Sequence, residues 1–218
     1  MKNKLLLVGV LLGASLTSWS QTTDLGNPVS WSKKMKSITS PAVEMPSFDL
    51  DAMLEADAIN AQNKDVPFRF GYEHIVEYNL QNSGSWSNLP SGAKVWRIEL
   101  KSTGAISMNV IFNDFKLVEG AKLFLYSKDH EMLQGAYTSL NNNENEMLGS
   151  DLIKGDDIVI ELFEPANTNE SSRLQIGTVV HGYKDINGWA PEKINESGSC
   201  NMNADCPDGD LWGNEKNS

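Results

Sequence analysis

Residues 94–100 read KVWRIEL, and this stretch decides the fold class. Trp96, Ile98 and Leu100 fall on one face of an extended chain, and Val95, Arg97 and Glu99 fall on the other. A period of two residues with one apolar face is typical of a β-strand that lies half-buried in a sheet. The stretch therefore predicts a strand with Trp96 in the core.

The same alternation recurs downstream and upstream of this strand. Further strands are predicted at residues 72–80, 106–112, 123–125, 132–138, 158–162 and 174–180. In the last of them, one face is predicted to carry Leu174, Ile176, Thr178 and Val180. Gly, Asn, Ser and Pro separate these stretches, and no helical pattern alternates with them, which disfavours a parallel α/β fold. We predict an all-β fold for residues 67–184, an antiparallel, jelly-roll-like β-sandwich.

The segment before the predicted sandwich, residues 21–66, is polar and irregular, with three prolines. Within it Asp49 is a good helix N-cap, since its carboxylate accepts backbone N–H groups of the first turn. One face of the predicted helix is apolar and carries Leu50, Met53, Leu54 and Ala58. A helix of about three turns is marginal alone, so we expect it to pack on the sandwich or on a partner.

Residues 1–20 have the layout of a secretory signal peptide, with two lysines followed by an apolar run. Small residues near the end predict cleavage between Ser20 and Gln21. The apolar run is shorter than the roughly 20 residues that a membrane-spanning helix needs, and no later segment is apolar enough. The sequence therefore predicts a secreted or periplasmic protein that is free of the membrane once the signal is removed.

The chain of 218 residues is acidic, with a formal net charge of −11. This charge argues against binding to nucleic acid or to anionic membranes, because phosphate contacts need clustered Lys and Arg. The three histidines, His74, His130 and His181, lack a recognisable Ser or Cys nucleophile nearby in a catalytic motif. We expect no peptidase or esterase activity from this chain, no metal site and no cofactor.

Two cysteines, Cys200 and Cys206, lie near the end of the chain in the passage SGSCNMNADCPDGDLW. In an exported protein they are expected to be half-cystines. Their spacing allows a bond to each other across a short loop.

Several fragments together carry a family resemblance. In order, they are PFRFG from Pro67, SGSWSNLPSGAKVWRIELKSTGA from Ser83, FKLVEGAKLFLYS from Phe115, GAYTSLNN from Gly135, GDDIVIELFEP from Gly155, and VVHGYKD from Val179. This ordered set resembles the pro-region of lysyl endopeptidase-like proteases, which are secreted serine proteases of trypsin-like fold. The passage at Cys200 is similar to the start of their mature chain, and the resemblance covers roughly residues 30–212.

The resemblance implies how the chain is organised and what it does. Residues 185–199 become a processing linker, and residues 200–218 become the first residues of a trypsin-like catalytic domain, to which the two cysteines would bridge. The pro-domain would assist the folding of that catalytic domain, its partner, and inhibit it. A Lys-specific protease that matures itself would cut after Lys193, so that the mature chain begins at Ile194.

Two other functions fit parts of the sequence. Six tryptophans in an exported β domain are compatible with a binding module for carbohydrate or protein, with Trp86 or Trp189 in its site. An autonomous enzyme is the third hypothesis, and the lack of a catalytic motif disfavours it.

Overall fold

The computed structural model of the protein describes residues 26–32, 42–61 and 63–190. This part of the chain has one α-helix, α1 (Leu50–Asn60), and 3-10 helices at Val29–Trp31 and Ser139–Asn141. Its strands are β1 (Ala42–Glu44), β2 (Gly71–Asn79), β3 (Ser85–Asn88), β4 (Lys94–Lys101), β5 (Ser107–Lys116), β6 (Lys122–Ser127), β7 (Leu133–Tyr137), β8 (Leu148–Gly149), β9 (Ile153–Lys154), β10 (Asp157–Glu164) and β11 (Arg173–Gly182).

The strands form two sheets. Sheet I has the order β1-β4-β10-β6-β7, with β3 also paired to β4, and sheet II has the order β2-β11-β5-β8, with β9 also paired to β5. Every pairing is antiparallel except that of β1 with β4, which is parallel. The predicted all-β sandwich is confirmed.

The core lies between the sheets and is built by the predicted alternation. Trp96, Ile98 and Leu100 of β4 are fully buried in it, as predicted. Sheet II faces them with Met108 and Phe112 of β5. Full burial of an apolar side chain of this size contributes about 1.5–3 kcal/mol, so this layer supplies the main stabilisation of the fold.

Strand β11 departs from the predicted alternation. Leu174 and Ile176 do point into the core, but the register shifts at Gly177, and Val179 takes the next core position instead of Thr178. A β-bulge adds one residue to a strand and reverses the faces beyond it. Glycine lets the neighbouring strand approach closely at this bulge, because a Cβ on Gly177 would lie 2.6 Å from the side chain of Asn113. The prediction that Thr178 and Val180 share the core face was wrong for this reason.

The helix is where the sequence predicts it, and its cap is formed as expected. The Asp49 carboxylate accepts the backbone N–H of Ala52 at 3.0 Å. Four short strands were not predicted, namely β1, β3, β8 and β9. Strand β1 belongs to the sandwich although it precedes residue 67, and it is followed by the buried side chain of Met45.

This placement of β1 leads to a prediction about two fragments. Residues 67–184 are expected to fold as a β domain, but to be less stable than residues 42–190 by about 2–5 kcal/mol, because Met45 and Phe48 are removed from their packing sites. Urea denaturation followed by far-UV circular dichroism measures the difference, and reductant should change neither fragment. Equal stability of the two fragments would show that β1 and the segment after it are dispensable.

Candidate functional site

One end of the sandwich carries α1, and three segments meet there. We call this surface the α1 end, and it comprises α1, residues 63–70 and residues 183–190. The segments are joined through Asp57 of α1. Its carboxylate accepts hydrogen bonds from Arg69 Nε at 2.8 Å and from the Tyr183 hydroxyl at 2.8 Å, and Lys184 Nζ lies 2.7 Å away. Residues from before β2 and after β11 therefore converge on one helical side chain.

The charges around Asp57 hold it ionised. Burial alone raises the pKa of Asp57, but the hydrogen bonds from Lys184, Tyr183 and Arg69 outweigh burial and lower the pKa to about 2. No residue of α1 is buried. The helix is thus attached to the sandwich by a polar contact, and its side chains Leu50, Leu54 and Ile59 remain exposed.

Exposed large apolar side chains are concentrated at the α1 end. Of the eleven in the described part of the chain, six lie there: Leu50, Leu54, Ile59, Val66, Phe68 and Ile186. Phe68 is 71% exposed, and its ring is covered only in part by Lys184, whose Nζ lies 4.7 Å from the ring centroid. Exposed large apolar side chains in adjoining segments are a feature of protein-protein interfaces.

An aromatic cluster closes the sandwich next to this surface. Phe48 stacks on Tyr72 of β2 with 4.2 Å between ring centroids, and its edge meets His181 of β11 at 4.9 Å. His74 lies 4.9 Å from Tyr72 and is buried. The cluster fixes the chain between β1 and α1 against sheet II.

A polar bond joins the two sheets beneath Phe48. Ser102, which follows β4 of sheet I, lies with its Oγ 2.8 Å from Nδ1 of His181 in sheet II. The pair forms part of the wall of a cleft of about 380 Å³, together with Glu44 and Met45. A hydrolytic triad also needs a carboxylate that orients the histidine and an accessible serine. Within the described residues no carboxylate bonds to His181, and Ser102 is only 3% exposed, so the bond serves as a bridge between the sheets.

Both buried histidines are held neutral. Burial lowers the pKa of His74, and burial together with the neighbouring His74 lowers the pKa of His181, against a smaller opposing effect of Asp156. The unfolded chain then binds protons that the folded chain excludes. The stability due to the neutral histidines is complete above their ordinary pKa of 6.5 and is lost as the pH falls through their lower folded values.

We therefore expect the free energy of unfolding to decrease between pH 7 and pH 5. Urea denaturation across this range measures the slope, and a His74→Gln, His181→Gln double variant should flatten it whatever its absolute stability. His130→Gln is the matched control, since His130 is exposed. An unchanged slope in the double variant would assign the pH dependence to other groups.

A second polar site lies away from the α1 end, where the segment Val29–Trp31 crosses sheet I. The fully buried Glu161 of β10 accepts the backbone N–H of Ser30 and the hydroxyl of Tyr126, both at 3.1 Å. Trp31 stacks on His130 with 4.4 Å between ring centroids. This contact fastens the N-terminal segment to the sandwich.

The two tryptophans considered for a binding module lie on different elements. Trp86 is in β3, its ring faces Lys94 Nζ at 4.6 Å, and its Nε1 donates to the Leu80 carbonyl. Trp189 follows β11, in a turn whose backbone N–H groups bond to Asp185. No ring contact in the described part of the chain brings the two together.

The predicted processing and cystine residues lie outside the described residues. These are Ser20, Gln21, Lys193, Ile194, Cys200 and Cys206. The described segments contain no group of three His, Cys, Asp or Glu side chains that could hold a metal ion. They also contain no helix long and apolar enough to cross a membrane.

Sequence reasoning missed the residues that build the α1 end. Asp57, Arg69 and Lys184 are spread over 128 positions, and each is an ordinary surface charge by type. The signal that was present is the helix itself, whose exposed Leu50 and Leu54 had no partner in the predicted strands.

Comparison with known families identifies the domain. The model of the lysyl endopeptidase N-terminal domain matches residues 43–183, which begin in β1 and end at Tyr183 of the α1 end. The match thus contains both sheets and the helix between β1 and β2. The chain belongs to the lysyl endopeptidase N-terminal domain family, and it carries the pro-region of a protease precursor.

Proposed function

We propose that this domain assists the folding of the trypsin-like catalytic domain of its own precursor and inhibits it, and that the α1 end is the surface that binds it. The observation that carries the proposal is the coincidence of two features. Six exposed apolar side chains lie in the segments of the α1 end, and the chain leaves the sandwich at the same end, after Lys184.

The length of the linker supports this choice of surface. The ten residues from 191 to 200 span at most about 33–36 Å when extended. A catalytic domain that begins near Cys200 is therefore tethered within reach of the α1 end, and a short tether gives an effective concentration in the millimolar range.

The physical basis of folding assistance is preferential binding. A trypsin-like β protease is rich in contacts distant in sequence, and such proteins fold slowly. A folded pro-domain that binds only the native form of the protease stabilises that form by mass action. Inhibition follows when the bound pro-domain places the linker across the substrate cleft.

The charge of the domain also supports association with a basic surface. Residues 42–190 contain 22 Asp and Glu against 11 Lys and Arg. Long-range attraction of this kind accelerates encounter and is weakened by salt.

The proposal is tested by binding of residues 26–190 to the mature protease in trans, using calorimetry. A Leu54→Asp, Phe68→Asp double variant should weaken binding by about tenfold to a hundredfold, because both side chains are exposed and lie in the proposed interface. Leu140→Asp is the control, since Leu140 is 91% exposed on the 3-10 helix Ser139–Asn141. Equal affinity of the double variant and the control would place the interface elsewhere.

The bond that we propose for maturation is Lys193–Ile194. Lys193 is the only lysine between Lys184 and Cys200. Lys184 is a poor competing site, because its Nζ is bound to Asp57 and lies against Phe68. A scissile lysine must instead enter the specificity pocket of the protease.

We expect a trace of Lys-specific protease to convert the full-length zymogen to a chain that begins at Ile194. N-terminal sequencing of the product identifies the cut, and Lys193→Ala should abolish it while Lys184→Ala leaves it in place. Normal maturation of Lys193→Ala would refute the assignment.

A further inference from the structure

Strand β2 has one paired edge and one open edge. It pairs with β11 over its length, and in the described part of the chain no other strand pairs with it. Alternate residues of an edge strand direct their backbone N–H and C=O groups away from the sheet. The open edge of β2 is thus a template for another strand.

Among the described residues, hydrogen bonds occupy only the second part of this edge. The side chain of Asn82 donates to the carbonyl of Glu77 and accepts the N–H of Asn79, so the following turn covers the end of the strand. No backbone or side-chain hydrogen bond of the described residues occupies the open edge of residues 71–76. This leaves six residues of strand edge available.

The side chains on the outer face of this edge have a defined pattern. Glu73, Ile75 and Glu77 alternate along the strand, all are exposed, and Ile75 is 77% exposed. Neither glutamate forms an ion pair within the described segments. Side chains directly opposite each other on paired strands lie about 4.5–5.5 Å apart, and opposite charges there are favourable. The pattern fits a strand with a basic, an apolar and a basic side chain at alternate positions.

The open edge is continuous with the α1 end. The carbonyl of Phe70, just before β2, accepts the backbone N–H groups of Tyr183 and Lys184, both at 3.1 Å. A partner bound at Phe68 therefore lies next to the first residues of β2. Charges such as Glu73 on an edge strand also oppose pairing of two copies of this chain, because the same edge would meet like charges.

We infer that the open edge of β2, residues 71–76, binds an extended strand of a protein partner that carries Lys or Arg at alternate positions. The identification of that partner as the catalytic domain rests on the proposed function, whereas the chemistry of the edge does not. Strand addition supplies backbone hydrogen bonds for affinity. Glu73 and Ile75 supply selectivity, together with Glu77, which lies just beyond the end of the open edge.

The test uses two short blocked peptides, one with Lys and Val in alternation and one with Glu and Val. Hydrogen exchange of the full chain, followed by NMR, reports which amides each peptide protects. The Lys peptide should protect alternate amides of residues 71–76 and bind about tenfold more tightly than the Glu peptide. A Glu73→Lys, Glu77→Lys variant should reverse this preference.

The matched control is a Glu131→Lys, Glu144→Lys variant, which changes the net charge equally at two exposed sites outside β2. It should keep the preference of the parent chain. Protection elsewhere, equal binding of the two peptides, or no protection at millimolar peptide would overturn the inference. If the peptides fail while the mature protease still binds in trans, only the role of the edge is lost and the proposed function stands.

Discussion

Trp96→Ala is expected to lower the free energy of unfolding by about 3–5 kcal/mol, a large fraction of the stability of a domain of this size. Trp96 is 1% exposed in the core between the sheets, and its Nε1 donates to the Ser83 carbonyl at 2.8 Å. Its ring also lies directly against Gly84, where a Cβ would come within 2.8 Å of it. The substitution thus opens a cavity and removes the donor to a turn carbonyl.

The control for this variant is Trp86→Ala, on the neighbouring strand. The two tryptophans are paired in register across β3 and β4, but Trp86 is 37% exposed. Trp86→Ala should lower the free energy of unfolding by about 1–2 kcal/mol, because the hydrogen bond of Trp86 and its contact with Lys94 are lost. Urea denaturation measures the free energy of unfolding of both variants. An equal decrease for Trp86→Ala and Trp96→Ala would contradict the assignment of Trp96 to the core.

Glu161→Ala is expected to lower the free energy of unfolding by about 3–5 kcal/mol, because it removes a fully buried carboxylate from an ion pair. Arg97 Nε lies 3.5 Å from this carboxylate, so the substitution leaves a largely buried guanidinium without this partner. The Ser30 amide and the Tyr126 hydroxyl lose their acceptor at the same time. We therefore expect the segment Val29–Trp31 to detach from sheet I.

Two measurements separate this effect from a general loss of stability. Hydrogen exchange at the Ser30 amide should accelerate, and the titration of Tyr126 should shift. Burial and the charge of Glu161 raise the pKa of Tyr126 to about 12, and removal of that charge should lower it. Glu131→Ala, at an exposed position, is the control. A Glu161→Ala variant as stable as this control, with an unchanged Ser30 amide, would refute the role of Glu161.

Long strands with an apolar face towards the core were predictable from the sequence. In β4 and β10 every second residue on that face is apolar, and Trp96, Ile98 and Ile160 lie in the core as the period requires. The opposite face is also buried at Val95 and Val159, which the alternation alone did not predict. The helix cap was predictable for the same reason, since Asp49 acts through its own first turn. Both features depend on neighbours in sequence.

Features that depend on distant neighbours were not predictable. Strands β8 and β9 have two residues each, too few to display a period, and their pairing partners lie in β5. The bulge at Gly177 brings it close to Asn113 of the adjacent strand, a contact that neighbours in sequence do not reveal. Asp57 became part of the candidate site because Arg69 and Lys184 meet there. Asp57, Arg69 and Lys184 are ordinary surface charges by type, and their role arises from tertiary contact.

The most direct test of the central claim is refolding of the denatured catalytic domain with and without residues 26–193 supplied in trans, so that the pro-domain keeps its linker up to the proposed cut at Lys193. We predict that the pro-domain raises the yield of native protease and that the recovered protease is inhibited until the pro-domain is removed. The Leu54→Asp, Phe68→Asp variant should lose both effects together, because both require binding through the α1 end. An equal yield with and without the domain, together with uninhibited protease at micromolar pro-domain, would contradict the account.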